Sequence, residues 1–360
     1  MTSTNMRMKA PTAADVAREA KVSKAQAARA LGGYGSVSDE VMTRVLTAAE
    51  RLGYRPNELA RSMNTGRSNT LGVIVGDIEN PHFGLALRGI SDVARQAGYH
   101  VILSNSDEQL SIEQEAVRVM LEKRVDGIIV APSSSAASNN AHLTQVLTEG
   151  RALTLFDRAV YHLDVEVIGV DFTRSAQQAT QLLLAAGHRR IAYVTSMNAS
   201  EPYRRTDDMG LTPVAQRIAG MERAFSVAGV PFVPALIKPN ALDDAAVARI
   251  VGELFDDAAP PTAVIASDSL IAQALLREFH LRGLHIPQDL SFVMYDNFPW
   301  TEIVSPPLSV IAQPVYEMGC EAARRIIAQI RGEDPGPMPV FETRYIRRES
   351  TGPAPLKVTG

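Results

Sequence analysis

Residues 12–31 constrain the fold of this chain more than any other stretch, because they predict two short helices joined by a tight turn. Thr12 with Asp15, and Ser23 with Gln26, each fit a capping box, in which two side chains satisfy free backbone N–H groups at a helix start. Two helices joined in this way match a helix-turn-helix, which places its second helix in the major groove of DNA. A plain helical hairpin is the alternative interpretation.

The helical pattern continues beyond this pair. Ser38 precedes a third helix, predicted for about 39–52, and Gly53 follows it as a stop signal. Asn57 can cap one more short helix over 58–63, which is too short to be stable alone in water. The sequence therefore predicts an all-α head, followed by a helix that forms only when something packs against it.

Charge is distributed unevenly along the chain. Residues 1–67 hold 11 Lys and Arg against 6 Asp and Glu, a net charge of +5, whereas residues 68–360 carry a net charge of −9. A basic head on an acidic body is the distribution expected of a protein that binds DNA through its head. The same distribution argues against DNA binding through the body.

Several function classes are disfavoured by what the sequence lacks. It has no apolar run of about 18 residues and no apolar segment near its N-terminus, so we expect a cytoplasmic protein without membrane contact. It has no phosphate-binding loop, no GxSxG nucleophile elbow and no HExxH motif, and its seven histidines are scattered. We therefore expect no enzyme activity, no catalytic residues, no cofactor and no metal site.

From Leu71 onward, short β-branched runs alternate with helical segments. Continuous apolar strands between amphipathic helices predict parallel sheets covered on both faces. The pattern runs through twice and breaks near 160–168, so we predict an α/β body of two similar, doubly wound lobes. The predicted strands are 71–75, 100–104, 127–130, 153–156, 167–170, 191–194, 263–266 and 291–295. The predicted helices are about 84–98, 111–123, 140–149, 173–186, 214–229, 243–257, 268–282 and 315–331.

Polar residues follow many of these strands, where doubly wound sheets bind their ligands. Carboxylates beside an arginine suit a polyhydroxylated ligand, because each carboxylate can accept hydrogen bonds from two hydroxyls. For a single aspartate such as Asp268, which starts a helix, a cap is the alternative. The polar residues that follow the predicted strands are Asp77, Asn80, Asn105, Asp107, Asp157, Arg158, Ser196, Ser267, Asp268, Asp296 and Asn297.

An ordered set of motifs extends over nearly the whole chain. They lie at residues 15–20, 22–29, 51–63, 65–68, 77–81, 124–129, 187–192 and 305–308. In order and spacing they resemble the lactose-repressor (LacI) family of bacterial transcription regulators. The resemblance implies an α/β architecture with an N-terminal all-α helix-turn-helix head and a two-lobed body like that of periplasmic sugar-binding proteins.

The resemblance also implies domain boundaries. A DNA-binding domain over 1–55 is followed by a hinge helix and linker over 56–68, a body over 69–350 and a tail over 351–360. The N-lobe comprises about 69–167 and 313–338, and the C-lobe about 168–311 and 339–350. Three crossovers between the lobes are expected near 166–170, 310–314 and 337–341.

DNA contacts carry over from the family motif by position. Gln26-Ala27-Ala28 replaces the usual Thr-Val-Ser, so Gln26 either contacts DNA or only caps its helix. Met63 stands where the family usually wedges a leucine into the minor groove. The implied contacts are Thr12, Ser23, Lys24, Ala25, Gln26 and Arg29 in the head, with Asn57, Ala60, Arg61 and Met63 in the hinge helix.

Effector contacts carry over in the same way. Arg217 and Asp296 match the family's effector-binding arginine and aspartate, whereas Ser267 stands where asparagine is usual. Trp300 either lines the pocket or packs at the hinge between the lobes, and the segment 199–211 either adds contacts or is a solvated loop. The implied effector residues are His82, Phe83, Asp107, Asp157, Arg158, Arg217, Asp268, Asp296 and Trp300.

These features together predict a repressor that binds a near-palindromic, double-stranded operator. A small sugar or polyol between the lobes would release the DNA. The resemblance implies a homodimer, with a tetramer as the alternative. A corepressor-dependent repressor or an activator, with a purine-like or phosphorylated effector, is the competing hypothesis. A free solute-binding protein or an enzyme on the same body is a more remote one.

Overall fold

The computed structural model describes residues 11–32, 35–54, 67–204 and 210–355. The chain forms two compact units, one that ends at Thr70 and one that begins at Leu71. The predicted hinge helix and the 55/56 boundary lie outside the described residues.

The described residues of the first unit form three helices. They are α1 (Ala13–Glu19), α2 (Lys24–Gly32) and α3 (Asp39–Leu52). Thr12 and Asp15 form the predicted capping box of α1, and Ser23 and Gln26 form that of α2. Valine and alanine side chains from all three helices make one small core. The prediction of a helix-turn-helix is confirmed.

The second unit contains two sheets. The first has the strand order β2-β1-β3-β4-β5 and the second has the order β11-β10-β9-β8-β6-β7. We call the lobe built on the first sheet the N-lobe and the lobe built on the second sheet the C-lobe. The N-lobe strands are β1 (Thr70–Val75), β2 (His100–Asn105), β3 (Gly127–Val130), β4 (Ala152–Phe156) and β5 (Val167–Ile168). The C-lobe strands are β6 (Ile191–Val194), β7 (Ile237–Lys238), β8 (Ala263–Ala266), β9 (Ser291–Tyr295), β10 (Ser309–Ala312) and β11 (Arg344–Ile346).

Nine further helices lie between these strands in the described part of the chain. The first three are α4 (Pro81–Gln96), α5 (Leu110–Glu122) and α6 (Ala141–Thr148). The next five are α7 (Phe172–Ala185), α8 (Thr212–Ala228), α9 (Asp244–Phe255), α10 (Ser269–Leu281) and α11 (Trp300–Ile303). The last is α12 (Val315–Arg331). The predicted α/β class, with doubly wound sheets, is confirmed.

In the described residues the chain crosses between the lobes three times: after β5, after β10, where α12 packs on the N-lobe, and before β11. The central strands β3, β8 and β9 are buried along their whole length, as expected for parallel strands that helices cover on both faces. Of the strand pairs with a resolved register, only β10–β11 is antiparallel. The strands β7, β10 and β11 were not predicted from the sequence.

Two glycines allow α4 and α12 to pack closely. A Cβ on Gly89 would overlap the backbone oxygen of Tyr316, and a Cβ on Gly319 would overlap the backbone oxygen of Ala86. Any larger residue at either position must therefore push the helices apart. Although α12 comes directly after β10 of the C-lobe, it packs on α4, β3, β4 and β5, so this helix belongs to the N-lobe.

Candidate functional site

The outer surface of α2 carries the predicted DNA-reading residues. Lys24 and Ala25 are exposed in its first turn, where the recognition helix of a helix-turn-helix contacts bases. The Gln26 carbonyl oxygen accepts from the backbone N–H of Ser23 at 3.1 Å, so this side chain caps its own helix. Arg29 lies against Gly35, and its Nε is buried without a hydrogen-bond partner in the described residues.

The remaining predicted DNA contacts divide into two groups. Thr12 and Ser23 are exposed, and their hydroxyls accept the backbone N–H groups of Asp15 and Gln26. Asn57, Ala60, Arg61 and Met63 lie outside the described residues. That any of these residues contacts DNA stays a prediction.

A cleft of about 1160 Å³ lies between the two sheets at the carboxyl ends of their strands. Its walls come from both lobes, because the loops after β1, β2, β3 and β4 face those after β6, β8, β9 and β10. Eight of the nine predicted effector residues line it: His82, Phe83, Asp107, Asp157, Arg158, Arg217, Asp268 and Asp296.

Trp300 does not line the cleft. Its indole N–H donates to Ser269 Oγ at 3.0 Å, and its ring packs against the C-lobe core. Trp300 begins α11 four residues after Asp296 and packs beside the first turn of α10.

Asp157 and Asp296 occupy equivalent positions at the ends of β4 and β9. Each has a positive φ, 64° and 73° respectively, and each donates its backbone N–H to the last pairing residue of the next strand, Ile168 or Ile311. A left-handed backbone is uncommon outside glycine, although aspartate tolerates it, and such residues concentrate at functional sites. The two lobes thus each present one aspartate to the cleft by the same local geometry.

His82, in the first turn of α4, lies between these two aspartates. Its Nδ1 is 3.7 Å from Asp296 Oδ2 and its Nε2 is 3.8 Å from Asp157 Oδ1. Burial favours the neutral ring, but the nearby carboxylates of Asp296 and Asp157 outweigh it and raise the pKa of His82. His82 Nε2 is buried without a hydrogen-bond partner in the described residues, so a ligand in the cleft can satisfy it.

Asp296 is held ionised by its neighbours. Burial alone would raise its pKa, but His82 and the amide of Gln313 reverse this and lower the pKa of Asp296. Gln313 follows β10, and its Nε2 donates to Asp296 Oδ1 while lying 3.3 Å from His82 Nδ1. Gln313 was not predicted as a site residue, because β10 was not predicted and an isolated glutamine carries no local signal.

Arg217, on α8, is clamped between two aromatic rings. Its Cζ lies 4.1 Å from the Phe172 ring centre and 3.9 Å from that of Tyr295. Its Nη1 donates to the backbone oxygen of Ser267 at 3.0 Å, and its Nε is buried without a partner in the described residues. Cation–π contacts fix the guanidinium while leaving donor capacity for a ligand oxygen.

Asp268 acts as the N-cap of α10. Its Oδ1 accepts the backbone N–H groups of Leu270 and Ile271, both at 3.0 Å, and its Oδ2 accepts the Ser267 hydroxyl. Burial raises the pKa of Asp268. The cap interpretation of this residue is therefore correct, and its place in the cleft wall leaves the effector role a prediction.

Neither a metal-binding group nor a membrane-spanning helix is found in the described part of the chain. Its histidines, cysteine and carboxylates form no group that could hold a metal ion. None of its helices is both long enough and apolar enough to span a bilayer.

Comparison with known proteins agrees with this geometry. The family model described as bacterial regulatory proteins, lacI family, matches residues 12–57, and that for a periplasmic binding protein-like domain matches residues 180–351. Catabolite control protein A of Priestia megaterium is 31% identical over 319 residues, covering 89% of this chain and 92% of the relative. The ribose operon repressor of Bacillus subtilis is 32% identical over 347 residues, covering 94% and 98%.

A solved structure matches the body. It is a LacI family transcriptional regulator from Enterococcus faecium with bound ribose, 29% identical, with a TM-score of 0.66. The match covers 79% of this chain and 99% of that one.

Proposed function

Because the chain belongs to the lacI family of bacterial regulatory proteins and is a DNA-binding regulator rather than an enzyme, we propose that it is a repressor released from its operator by a small neutral sugar. The sugar binds in the cleft between the lobes. The observation that carries the proposal is the group of His82, Asp157, Asp296 and Arg217, which brings donors and acceptors from both lobes to one cavity.

This group suits a polyhydroxylated ligand. Two carboxylates can each accept from two hydroxyls, while His82 Nε2 and Arg217 donate to ring or hydroxyl oxygens. Phe83 in the cleft wall supplies apolar surface for the sugar carbons. The ribose operon repressor and the ribose-bound regulator among the relatives make ribose the first candidate.

The cleft can control DNA binding because its walls belong to different lobes. A ligand that fits one lobe arrangement better shifts the population toward it, with a coupling of about 1–3 kcal/mol in typical cases. We infer that the working form is a homodimer on a near-palindromic operator, with Lys24, Ala25 and Arg29 reading bases and the 57–63 segment in the minor groove. We infer also that it works in the cytoplasm, where its DNA lies.

The test is operator binding by the purified protein. The affinity of the protein for its own upstream DNA is measured by fluorescence anisotropy at fixed salt. The measurement is made without sugar and then with ribose or one of several other neutral sugars. Loss of binding with at least one sugar supports the proposal. Binding that appears only with a ligand would make the protein corepressor-dependent, and binding that no neutral sugar alters would exclude the proposed effector class.

A further inference from the structure

The cleft carries a strong excess of negative charge. Among the described residues that line it are seven carboxylates and two guanidiniums, those of Arg158 and Arg217. Five negative charges are left over if His82 is neutral, and four if it is protonated. A phosphate or carboxylate on a ligand would therefore need a dedicated cationic partner inside the cleft.

Arg158 has the position and burial for such a partner, but both of its terminal nitrogens already donate to a carboxylate. Its Nη2 donates to Glu108 Oε1 at 2.7 Å, and its Nη1 donates to Glu108 Oε2 and to the backbone oxygen of Pro132. Its Nε lies 3.5 Å from Asp157 Oδ2. This two-pronged pairing is the geometry with which arginine binds an anionic ligand.

Gly76 makes room for the Glu108 carboxylate. A Cβ at residue 76 would overlap Glu108 Oε1 and press on its Cδ. Glu108 has a positive φ of 56°, and its backbone N–H donates to the Gly76 oxygen at 2.9 Å. Both the backbone and the side chain of Glu108 therefore pack against Gly76 at the end of β1. This packing places the carboxylate beside Arg158.

The N-terminus of α10 is also closed to an anion. Helix N-termini bind phosphate through free N–H groups, but the Asp268 carboxylate already accepts two of them here. Arg217 remains as the guanidinium without a carboxylate partner in the described residues, and one such cation cannot offset the surrounding carboxylates.

We propose that Glu108 fills, from within the chain, the position where an anionic group of a ligand would pair with Arg158, so that the cleft accepts uncharged sugars and rejects their phosphate esters. This inference rests on the proposed function and narrows it. The effector is then the free sugar that a phosphoryl-transfer reaction consumes, and not the sugar phosphate that the reaction produces.

The test uses inorganic phosphate as the probe and full-length protein, with binding followed by calorimetry against chloride at equal ionic strength. Wild-type protein should show no phosphate binding that depends on Arg158. Glu108→Gln keeps the shape of the side chain and removes its charge, so it should gain phosphate binding that depends on Arg158, roughly tenfold or more above any background binding seen with wild type. The Glu108→Gln, Arg158→Gln double variant should lose this gain, which locates it in the cleft.

The matched control is Glu115→Gln, which makes the same substitution beside Arg118 on the exposed surface of α5. This variant should bind phosphate as wild type does. Any phosphate binding by the basic head is common to all the variants and therefore does not affect the comparison. Wild-type phosphate binding that Arg158→Gln abolishes would overturn the inference, and that measurement does not require Glu108→Gln to fold. A folded Glu108→Gln protein with no gain would overturn it too. Neither arm uses operator or sugar, so failure here is distinguishable from failure of the proposed function.

Discussion

Asp157 and Asp296 face the same imidazole, that of His82, from opposite lobes. Their oxygens lie 3.8 Å and 3.7 Å from its two nitrogens, and both aspartates end a strand in a left-handed conformation. His82 belongs to the N-lobe, so its contact with Asp296 crosses the cleft. A ligand that binds between the lobes must therefore contact His82 and the two aspartates, or take the place of one of these side chains beside the others.

This arrangement predicts a pH-dependent contribution of His82 to stability. Its pKa is raised in the folded protein, so protonation stabilises the fold fully below the ordinary value near 6.5, and the stabilisation is lost as pH rises through the folded value. Asp157, Asp296, Gln313 and Arg217 are the groups around the ring. Urea unfolding should show that His82→Gln destabilises the protein more at about pH 6 than at about pH 8.

The control for this measurement is His285→Gln. His285 is exposed and pairs with Asp289 at the surface, so its loss should change stability little at either pH. If His82→Gln destabilises the protein equally at both pH values, the protonated His82 ring does not stabilise the fold through Asp157 and Asp296.

Arg217→Met should remove the response to sugar while leaving DNA binding intact. Methionine retains apolar contact with Phe172 and Tyr295 but loses the donors, which should weaken sugar binding by about 1.5–3 kcal/mol. Calorimetry with sugar and anisotropy with operator measure the two effects separately. Arg118→Met, at an exposed arginine on α5, should change neither. Normal sugar affinity in Arg217→Met would remove this residue from the site.

Lys24→Ala should weaken operator binding by about 1–3 kcal/mol and relax discrimination at one base position. The exposed Lys24 side chain, in the first turn of α2, is placed for a major-groove contact. Binding to a set of single-base operator variants is the measurement. Lys123→Ala removes an exposed lysine from the body and should leave every affinity unchanged. An unaltered ranking of the operator variants with Lys24→Ala would exclude base reading by this residue.

Gly319→Ala should destabilise the body by about 1–3 kcal/mol, because its Cβ would overlap the Ala86 backbone where α4 and α12 touch. Gly84→Ala is the matched control. Gly84 lies in α4, the other helix of this contact, but nothing lies within 4 Å of a Cβ there. Gly84→Ala should therefore stabilise the protein by up to about 1 kcal/mol through helix propensity. Urea denaturation of both variants tests the contact, and equal effects would show that the helices are not in close contact.

Elements with strong local patterns were predictable from sequence, and long-range partners were not. The capping boxes at Thr12 and Ser23 and the buried apolar strands β3 and β8 carry their signal within a few residues. The short edge strand β11 carries none, because Arg344 and its neighbours are partly exposed and pair only with β10.

The same distinction applies to the site. Strand-end aspartates could be proposed from position alone, since parallel sheets bring those ends together. Glu108 was missed as the partner of Arg158, because the two lie 50 residues apart and Gly76, from a third segment, decides where the carboxylate lies. For Trp300 the sequence left the pocket and the hinge as alternatives, because the direction taken by α11 cannot be inferred from proximity to Asp296; its ring packs against the C-lobe core.

In the proposed mechanism, sugar in the cleft and operator on the head oppose each other, and one reciprocal measurement tests this opposition most directly. Calorimetry gives the dissociation constant of the active sugar for free protein and for protein saturated with operator. Linkage requires the sugar to bind the operator complex more weakly, by the same factor by which it weakens operator binding. That factor should be about 5–150-fold. Equal sugar affinity in the two states would contradict the account.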